Sequence, residues 1–518
     1  MAIVEEINDP AGLRKRIRLS NPATLEHICD MECITHDEVF EAVKKARLVQ
    51  PMWAALSFKE RARYMMKALE ILIERQEEFI DVVLRETPKP RTQAILMDIW
   101  ASCDSLNYYA KKSQKCLKTE IVRPHGMLAF MKQLKIVYHP LGVVGIVSPW
   151  NEPFFLSINP TIQALMAGNA VLLKPSSVTP YSGKLVGDLF EAAGLPEGVL
   201  QVILGDGRAG AALIEAGVDK ISFTGSVETG RKVAVACAER FIPCTLELGG
   251  KDPMIVCEDA NLEVAAGGAL SAAFLNGGQV CMAAERVYVM DPVADEFINK
   301  VVEKTLKLRQ SADGEFEVGA MYWPDQIKII ERHMEDAIAK GAKVLCGGRR
   351  NPNLKGFYFE PTVMTDVTHD MLIMREETFG PILPIVRVRD EEEAIKLAND
   401  TEFGLSATVW SRSNRRSCKI AERIHAGSVC INDQSITYGA PEAPFGGRKE
   451  SGIGQVNGDI GLRGFCYAQP ILIDRFGGRM AIQGFPYSFK KDKLFQRLIS
   501  LLWGNPIGRW IAAMRLPL

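Results

Sequence analysis

Between residues 141 and 260, short β-rich runs recur and several stand roughly thirty residues apart, with helical stretches between them: Val143–Val147, Val171–Leu173, Val199–Leu204, Ile221–Phe223 and Met254–Val256. That spacing constrains the fold more than any other feature. Parallel strands need a crossover of about a dozen residues or more, usually a helix, whereas antiparallel strands can close in a tight turn. The pattern therefore predicts an α/β fold with a parallel sheet. A second α/β segment follows, with runs at Lys343–Cys346, Pro384–Val388, Ala407–Trp410 and Ser428–Asn432 and helices such as Asp390–Asn399 between them. Two open α/β domains with a cleft between them is the economical architecture. No internal repeat of fixed period is visible.

The flanking segments read differently. Thr35-His36-Asp37-Glu38 and Ser57-Phe58-Lys59-Glu60 each place a hydroxyl three residues before a carboxylate, the capping-box signature of a helix start. Ala62, Met65, Met66, Leu69 and Ile73 then mark one apolar helix face. Residues 119–139, broken by Pro124 and Gly126, read as a hairpin or arm. Two stretches of 21 residues, Pro153–Leu173 and Val264–Ala284, carry no charge. They are long enough to span a bilayer, but prolines, amides and glycines interrupt them, so buried core is the expectation.

Composition narrows the function. The chain of 518 residues carries 62 Lys plus Arg against 63 Asp plus Glu, a net charge of −1, which gives no electrostatic reason to expect a nucleic-acid partner. With 47% hydrophobic and 24% charged residues the bulk is neither disordered nor low-complexity. The twelve cysteines are scattered; the closest pair, Cys29 and Cys33, has no second pair nearby, so no metal site is expected. The acidic start Met1-Ala2-Ile3-Val4-Glu5-Glu6 is unlike a signal peptide, and a reducing cytoplasmic compartment is the expectation.

Several residues can carry chemistry. Cys281, in Asn276-Gly277-Gly278-Gln279-Val280-Cys281-Met282, is a candidate nucleophile; the turn before it is expected to lead into a helix whose N-terminus would favour the thiolate. Glu247, between two leucines and before Gly249-Gly250-Lys251, is a candidate general base if burial raises its pKa. Asn151, in Pro149-Trp150-Asn151-Glu152-Pro153, follows a strand end and could donate to an oxyanion. Each also has a plainer reading: a buried structural thiol, a glutamate paired with Lys251, and a turn asparagine. Two glycine patterns compete for a nucleotide phosphate, Gly205-Asp206-Gly207-Arg208-Ala209-Gly210 and Thr224-Gly225-Ser226-Val227-Glu228-Thr229-Gly230. Lys174, at a strand end, could reach the ribose or phosphate of an adenosine, or could simply be a solvated lysine.

In combination these segments, with Glu376-Glu377-Thr378-Phe379-Gly380-Pro381 and Pro444-Phe445-Gly446-Gly447, occur in the order and spacing of the aldehyde dehydrogenase superfamily, which the chain resembles over about residues 20–470. The resemblance implies a Rossmann-like cofactor domain, an α/β catalytic domain and a β-hairpin oligomerisation arm. It divides the chain into 1–117 plus 141–247 for NAD(P), 248–440 for catalysis, 118–140 plus 441–473 for the arm and C-terminal strand region, and a tail at 474–518. It implies Cys281 as nucleophile, Asn151 with the Cys281 N–H as oxyanion hole and Glu247 as the base for thioester hydrolysis. Trp150, Lys174, Gly225 and Ser226 would contact the adenosine and pyrophosphate, Glu377 the nicotinamide ribose, and Phe379 the nicotinamide end. Glu152, Phe155, Val280, Met282 and Phe445 would line the substrate pocket. The implied reaction oxidises an aldehyde to a carboxylic acid with NAD or NADP; the substrate is expected to be lipophilic, aliphatic or aromatic. The alternatives are a succinate-semialdehyde-type enzyme and, from another class, a catalytically silent membrane-associated scaffold.

The sequence departs from the family pattern at three places that matter. Ser177 stands where many members carry a glutamate that would bond the 2′-hydroxyl of NAD, so NADP acceptance is expected. Glu152 occupies a usually aromatic or apolar position. The tail exceeds the ordinary family length, and from Arg475 onward it carries eight Lys/Arg and one Asp, with Leu494, Leu498, Leu501 and Leu502 on one face. A basic amphipathic helix of that kind suits either a membrane surface, through residues 488–518, or packing on protein. A homo-dimer or homo-tetramer is expected.

Overall fold

A computed structural model describes residues 4–7, 14–126, 128–434, 436–478 and 485–514. The chain forms two compact units, one of residues 1–118 with 138–468, the other of residues 119–137 with 469–518.

The larger unit holds two α/β sheets. The first has six strands in the order Gly452–Ile453, Cys244–Glu247, Lys220–Thr224, Val143–Val147, Ala170–Lys174, Leu200–Val202. All neighbours are parallel except the short Gly452 edge strand. From Val143–Val147 the chain adds strands on one side, then crosses to Lys220–Thr224 on the other. The order thus reverses at the Val143 strand, where the carboxyl ends of an open α/β sheet leave a ligand crevice.

The second sheet has seven strands, in the order Lys343–Cys346, Thr362–Thr365, Ile382–Val388, Ala284–Met290, Asp252–Val256, Ser406–Trp410, Ser428–Ile431. The run at Met254–Val256, grouped in the sequence with the first set of β-rich segments, belongs instead to this sheet: it pairs in parallel with Ala284–Met290 and Ser406–Trp410. The reason is reach. Only Leu248–Lys251 separates it from Glu247, too short a link for a parallel crossover within one sheet. The chain therefore passes straight from one sheet into the other.

Both expected capping boxes form. Thr35 and Glu38 exchange bonds at 2.9 and 3.3 Å, Ser57 and Glu60 at 2.7 and 3.3 Å. The first uncharged stretch is core, and the second is largely so, with Val264 and Ser271 exposed. Every residue of helix Phe155–Met166 is buried, and its amide nitrogens are satisfied: Asn159 and Gln163 donate to Asn457 Oδ1 at 3.0 and 3.2 Å, joined by the Tyr109 hydroxyl at 3.1 Å, while the Gln163 Oε1 has no partner.

In the smaller unit, Glu120–Val122 pairs antiparallel with Lys132–Pro140, as the hairpin expectation required, and Cys466–Asp474 completes a three-stranded sheet. The tail forms helix Phe489–Trp503, whose cap Ser488 accepts from the Lys491 N–H at 3.3 Å, and helix Pro506–Met514. Helix Phe489–Trp503 has no buried residue. Residues 479–484 and 515–518 of the expected tail lie outside the described residues. No described helix is long and apolar enough to cross a membrane.

Candidate active site

The direct passage between sheets places two of the expected residues together. Glu247 ends a strand of the first sheet, and Asp252 begins a strand of the second, in register with Ala284. Cys281 lies three residues before Ala284. Two glycines make the approach possible. A Cβ on Gly250 would fall 2.5 Å from the Cys281 carbonyl oxygen, and one on Gly249 would collide with the Glu377 carboxylate. A Cβ on Gly278 would likewise overlap the Gly380 carbonyl. The Glu247, Cys281 and Glu377 segments are thus packed backbone to backbone.

The expected helix after Cys281 is absent. Helix Leu262–Phe274 precedes it, Asn276, Gly277 and Gly278 turn the chain at φ of 54°, 67° and 77°, and strand Ala284–Met290 follows. Val287, Tyr288 and Val289 favour that strand. No helix N-terminus therefore supports the thiolate. Burial first, then the carboxylates of Glu152, Glu247, Asp252 and Glu377, hold the Cys281 thiol well above its usual range.

Glu247 matches its expectation more closely. It is 4% exposed, its Oε1 has no hydrogen-bond partner, and burial raises its pKa to about 8. The plainer pairing with Lys251 does not occur, because Lys251 Nζ donates to Glu285 at 2.5 Å. A buried carboxyl lacking a partner on one oxygen costs folding free energy, and such groups concentrate at functional sites.

Asn151 is buried and donates from Nδ2 to the Gln279 carbonyl at 3.1 Å, two residues before Cys281. Its own carbonyl accepts from Lys89 Nζ and Asn276 Nδ2, both at 3.0 Å. Lys89 and Asn276 went unrecognised in the sequence, as did Glu285. The Glu285 carboxylate accepts from the N–H groups of Thr378 and Phe379 at 2.7 and 2.8 Å and so anchors the segment carrying Glu377. Gly250 N–H donates to Glu377 at 3.2 Å, and burial raises the Glu377 pKa to about 8. Phe379 takes a left-handed φ of 49° and meets Trp150 edge-on at 5.4 Å. Phe155, Val280, Met282 and Phe445 are buried in one apolar cluster with Tyr438, and Cys281 packs against it. Tyr438 stands perpendicular to Phe155 at 5.5 Å and nearly so to Phe445 at 5.0 Å. Glu152 is partly buried, with its pKa raised to about 7, by burial first.

At the switch point of the first sheet lies a cavity of about 660 Å³, lined among others by Ser148, Lys174, Ser177, Gly210, Thr224 and Lys232. Lys174 is buried, not solvated, and burial lowers its pKa to about 8. Gly225 and Ser226 turn out of Thr224. Gly225 N–H donates to the Glu247 carbonyl at 3.0 Å, and Ser226 caps helix Val227–Glu239 by accepting from Thr229 N–H at 3.4 Å. Both glycine patterns border this one cavity, since Gly207 and Gly210 line its other flank. Its size and its place at the strand ends fit a dinucleotide.

Residues 8–471 match the model of the aldehyde dehydrogenase family. The chain belongs to that family. A Methylomonas sp. protein named 4,4'-diapolycopene aldehyde oxidase is 39% identical over 465 residues, covering 90% of this chain and 87% of its own. A Mycolicibacterium smegmatis protein, whose name provisionally assigns it as a succinate-semialdehyde dehydrogenase [NADP(+)], is 40% identical over 447 residues, 85% of each chain. The crystal structure of a Mycobacterium tuberculosis aldehyde dehydrogenase complexed with NAD+ superposes with a TM-score of 0.84 at 34% identity, over 90% of this chain and 96% of that one. As a family member, this aldehyde dehydrogenase is an NAD(P)-dependent oxidoreductase that converts aldehydes to acids.

Proposed function

We propose that Cys281, Glu247 and Asn151 are its catalytic residues and that the preferred substrates are lipophilic aldehydes. The observation that carries this reading is the packing of Gly250 on the Cys281 carbonyl, which brings the segment of the buried, part-unsatisfied Glu247 carboxyl against the segment of the thiol at the junction of two sheets. The Cys281 sulfur adds to the carbonyl once its proton has left to a neighbouring carboxylate. The Asn151 amide and the Cys281 N–H stabilise the resulting alkoxide, each donor being worth about 3 kcal/mol. When bound, NAD(P)+ supplies the hydride acceptor. Oxidation leaves an acyl thioester on Cys281, and Glu247 takes a proton from the water that hydrolyses it. Lys174, Ser177, Gly225, Ser226 and Trp150 would hold the adenosine and pyrophosphate, and Glu377 and Phe379 the nicotinamide half. The apolar cluster of Phe155, Val280, Met282, Tyr438 and Phe445 favours a hydrocarbon tail. A chain-length series from propanal to dodecanal, followed by absorbance of the reduced cofactor, tests the substrate class: kcat/KM should rise with length, and a fall would contradict it.

Ser177, which lines the cavity together with Lys174 and Lys232, supports NADP use. Wild-type kcat/KM for NADP should equal or exceed that for NAD. Ser177→Glu should shift the ratio toward NAD about tenfold, because a carboxylate repels the 2′-phosphate and bonds the 2′-hydroxyl. A wild-type preference for NAD above about a hundredfold would refute this reading.

The exposed Ile121 and Leu472 of the smaller unit's sheet support assembly into a homo-dimer or homo-tetramer. All twelve cysteines are free thiols, which suits a reducing cytoplasm. The tail helices expose Phe489, Ile499, Trp503, Ile507 and Trp510 among lysines and arginines, a composition suited to peripheral contact with an anionic bilayer. The full chain should float with phosphatidylserine-containing vesicles and a chain ending before Ser488 should not; equal flotation would remove the membrane contact.

A further inference from the structure

Lys89 and Asp98 form an ion pair at 3.1 Å, and both side chains are wholly enclosed. Such a pair adds little net stability, because the cost of desolvating two charges offsets their attraction. Its significance lies in what else each partner holds. Lys89 Nζ also donates to the Asn151 carbonyl at 3.0 Å, and the other oxygen of Asp98 accepts from the N–H groups of Phe154 and Phe155 at 3.2 and 3.3 Å. The pair therefore grips both ends of the turn that joins strand Val143–Val147 to helix Phe155–Met166. Each partner has a firm support. Lys89 stands between Pro88 and Pro90, and Gly319 packs so closely that a Cβ there would overlap the Pro88 carbonyl. Asp98 lies in a π-helical stretch, Ala94–Trp100, a rare geometry that recurs at functional sites.

The Cys281 loop holds Asn151 from the opposite side. Asn276 Nδ2 donates to the Asn151 carbonyl at 3.0 Å, and Asn151 Nδ2 donates to the Gln279 carbonyl at 3.1 Å. A carboxamide nitrogen carries two N–H groups, so this anchor leaves one for a ligand. We propose that Lys89 and Asp98 are positioning residues: they fix the Asn151 backbone so that its second amide N–H meets the alkoxide formed at Cys281. The inference rests on Asn151 as an oxyanion donor. A donor of that kind acts only while it is aimed, and a displacement of about 1 Å can cost about a hundredfold in rate.

The test is a double-mutant cycle read by single-turnover formation of reduced cofactor from hexanal and NADP+. Asn151→Ala should slow that turnover about a hundredfold or more. Lys89→Met should slow it about ten- to a hundredfold in the wild-type background while KM for NADP+ stays within about threefold. In the Asn151→Ala background the same substitution should cost less than about threefold, because the group it aims is already gone. Equal losses in the two backgrounds, or no loss from Lys89→Met alone, would overturn the positioning role and leave Asn151 as the donor. An Asn151→Ala enzyme within about threefold of wild type would bring down the oxyanion reading, and this inference with it. A rise in Tm with NADP+ checks that each variant is folded. Should Lys89→Met fail to fold, Asp98→Asn, which keeps the side-chain volume and removes the charge, takes its place in the cycle with the same outcomes.

Discussion

Cys281→Ala should abolish aldehyde-dependent formation of reduced cofactor, by about 10⁴-fold or more, while NADP+ still raises Tm. The size of the effect follows from the role: without the sulfur there is no covalent intermediate, and what is left is binding and the oxyanion donors. Retained stabilisation by the dinucleotide separates lost chemistry from lost fold, because a ligand that binds only the folded state raises Tm in proportion to its affinity. The cavity that would take the adenosine is lined by Lys174, Ser177 and Thr224, not by Cys281. Residual activity within tenfold of wild type would assign the chemistry to another group.

Glu247→Gln should divide the reaction in two. Glutamine fills the same volume but cannot take a proton from water, so thioester formation continues and hydrolysis slows by about 10²–10⁴-fold. Stopped-flow absorbance should then show a burst approaching one equivalent of reduced cofactor per Cys281, followed by a slow steady state. The pH dependence has a definite sign. Burial holds the Glu247 carboxyl up to about 8, so it is protonated and inactive as a base below that pH and ionised above it. Hydrolysis in the wild type should rise with pH toward 8 and level off beyond, and the rise should vanish in Glu247→Gln. A pH-independent wild-type hydrolysis step would contradict Glu247 as its base.

Much of this was legible in the chain. The strand spacing from Val143 onward requires parallel sheets, and the capping boxes at Thr35 and Ser57 form because their partners are local. Cys281, Glu247 and Asn151 each had a plainer reading alone and were singled out by the combination of motifs that resembles the aldehyde dehydrogenase superfamily. What the sequence hides is what depends on distant partners. Lys89 looks like a surface lysine between prolines until Asp98 and the Asn151 carbonyl enclose it. Glu285 gains its role only by accepting from backbone groups more than ninety residues away. The environment of Cys281 was misread for a related reason: glycines and an asparagine signal a turn, but whether a helix or a strand follows is decided by how Ala284–Met290 pairs inside the second sheet. The result is a thiol without a helix dipole and with four carboxylates around it, whose deprotonation must be local.

The most direct measurement is the site of acylation. Glu247→Gln given one equivalent of hexanal and NADP+, quenched in acid and digested, should carry a hexanoyl group on the peptide containing Cys281, in amount equal to the burst of reduced cofactor. Reduced cofactor formed with Cys281 unmodified, or with the acyl group on another thiol such as the exposed Cys418, would contradict the account.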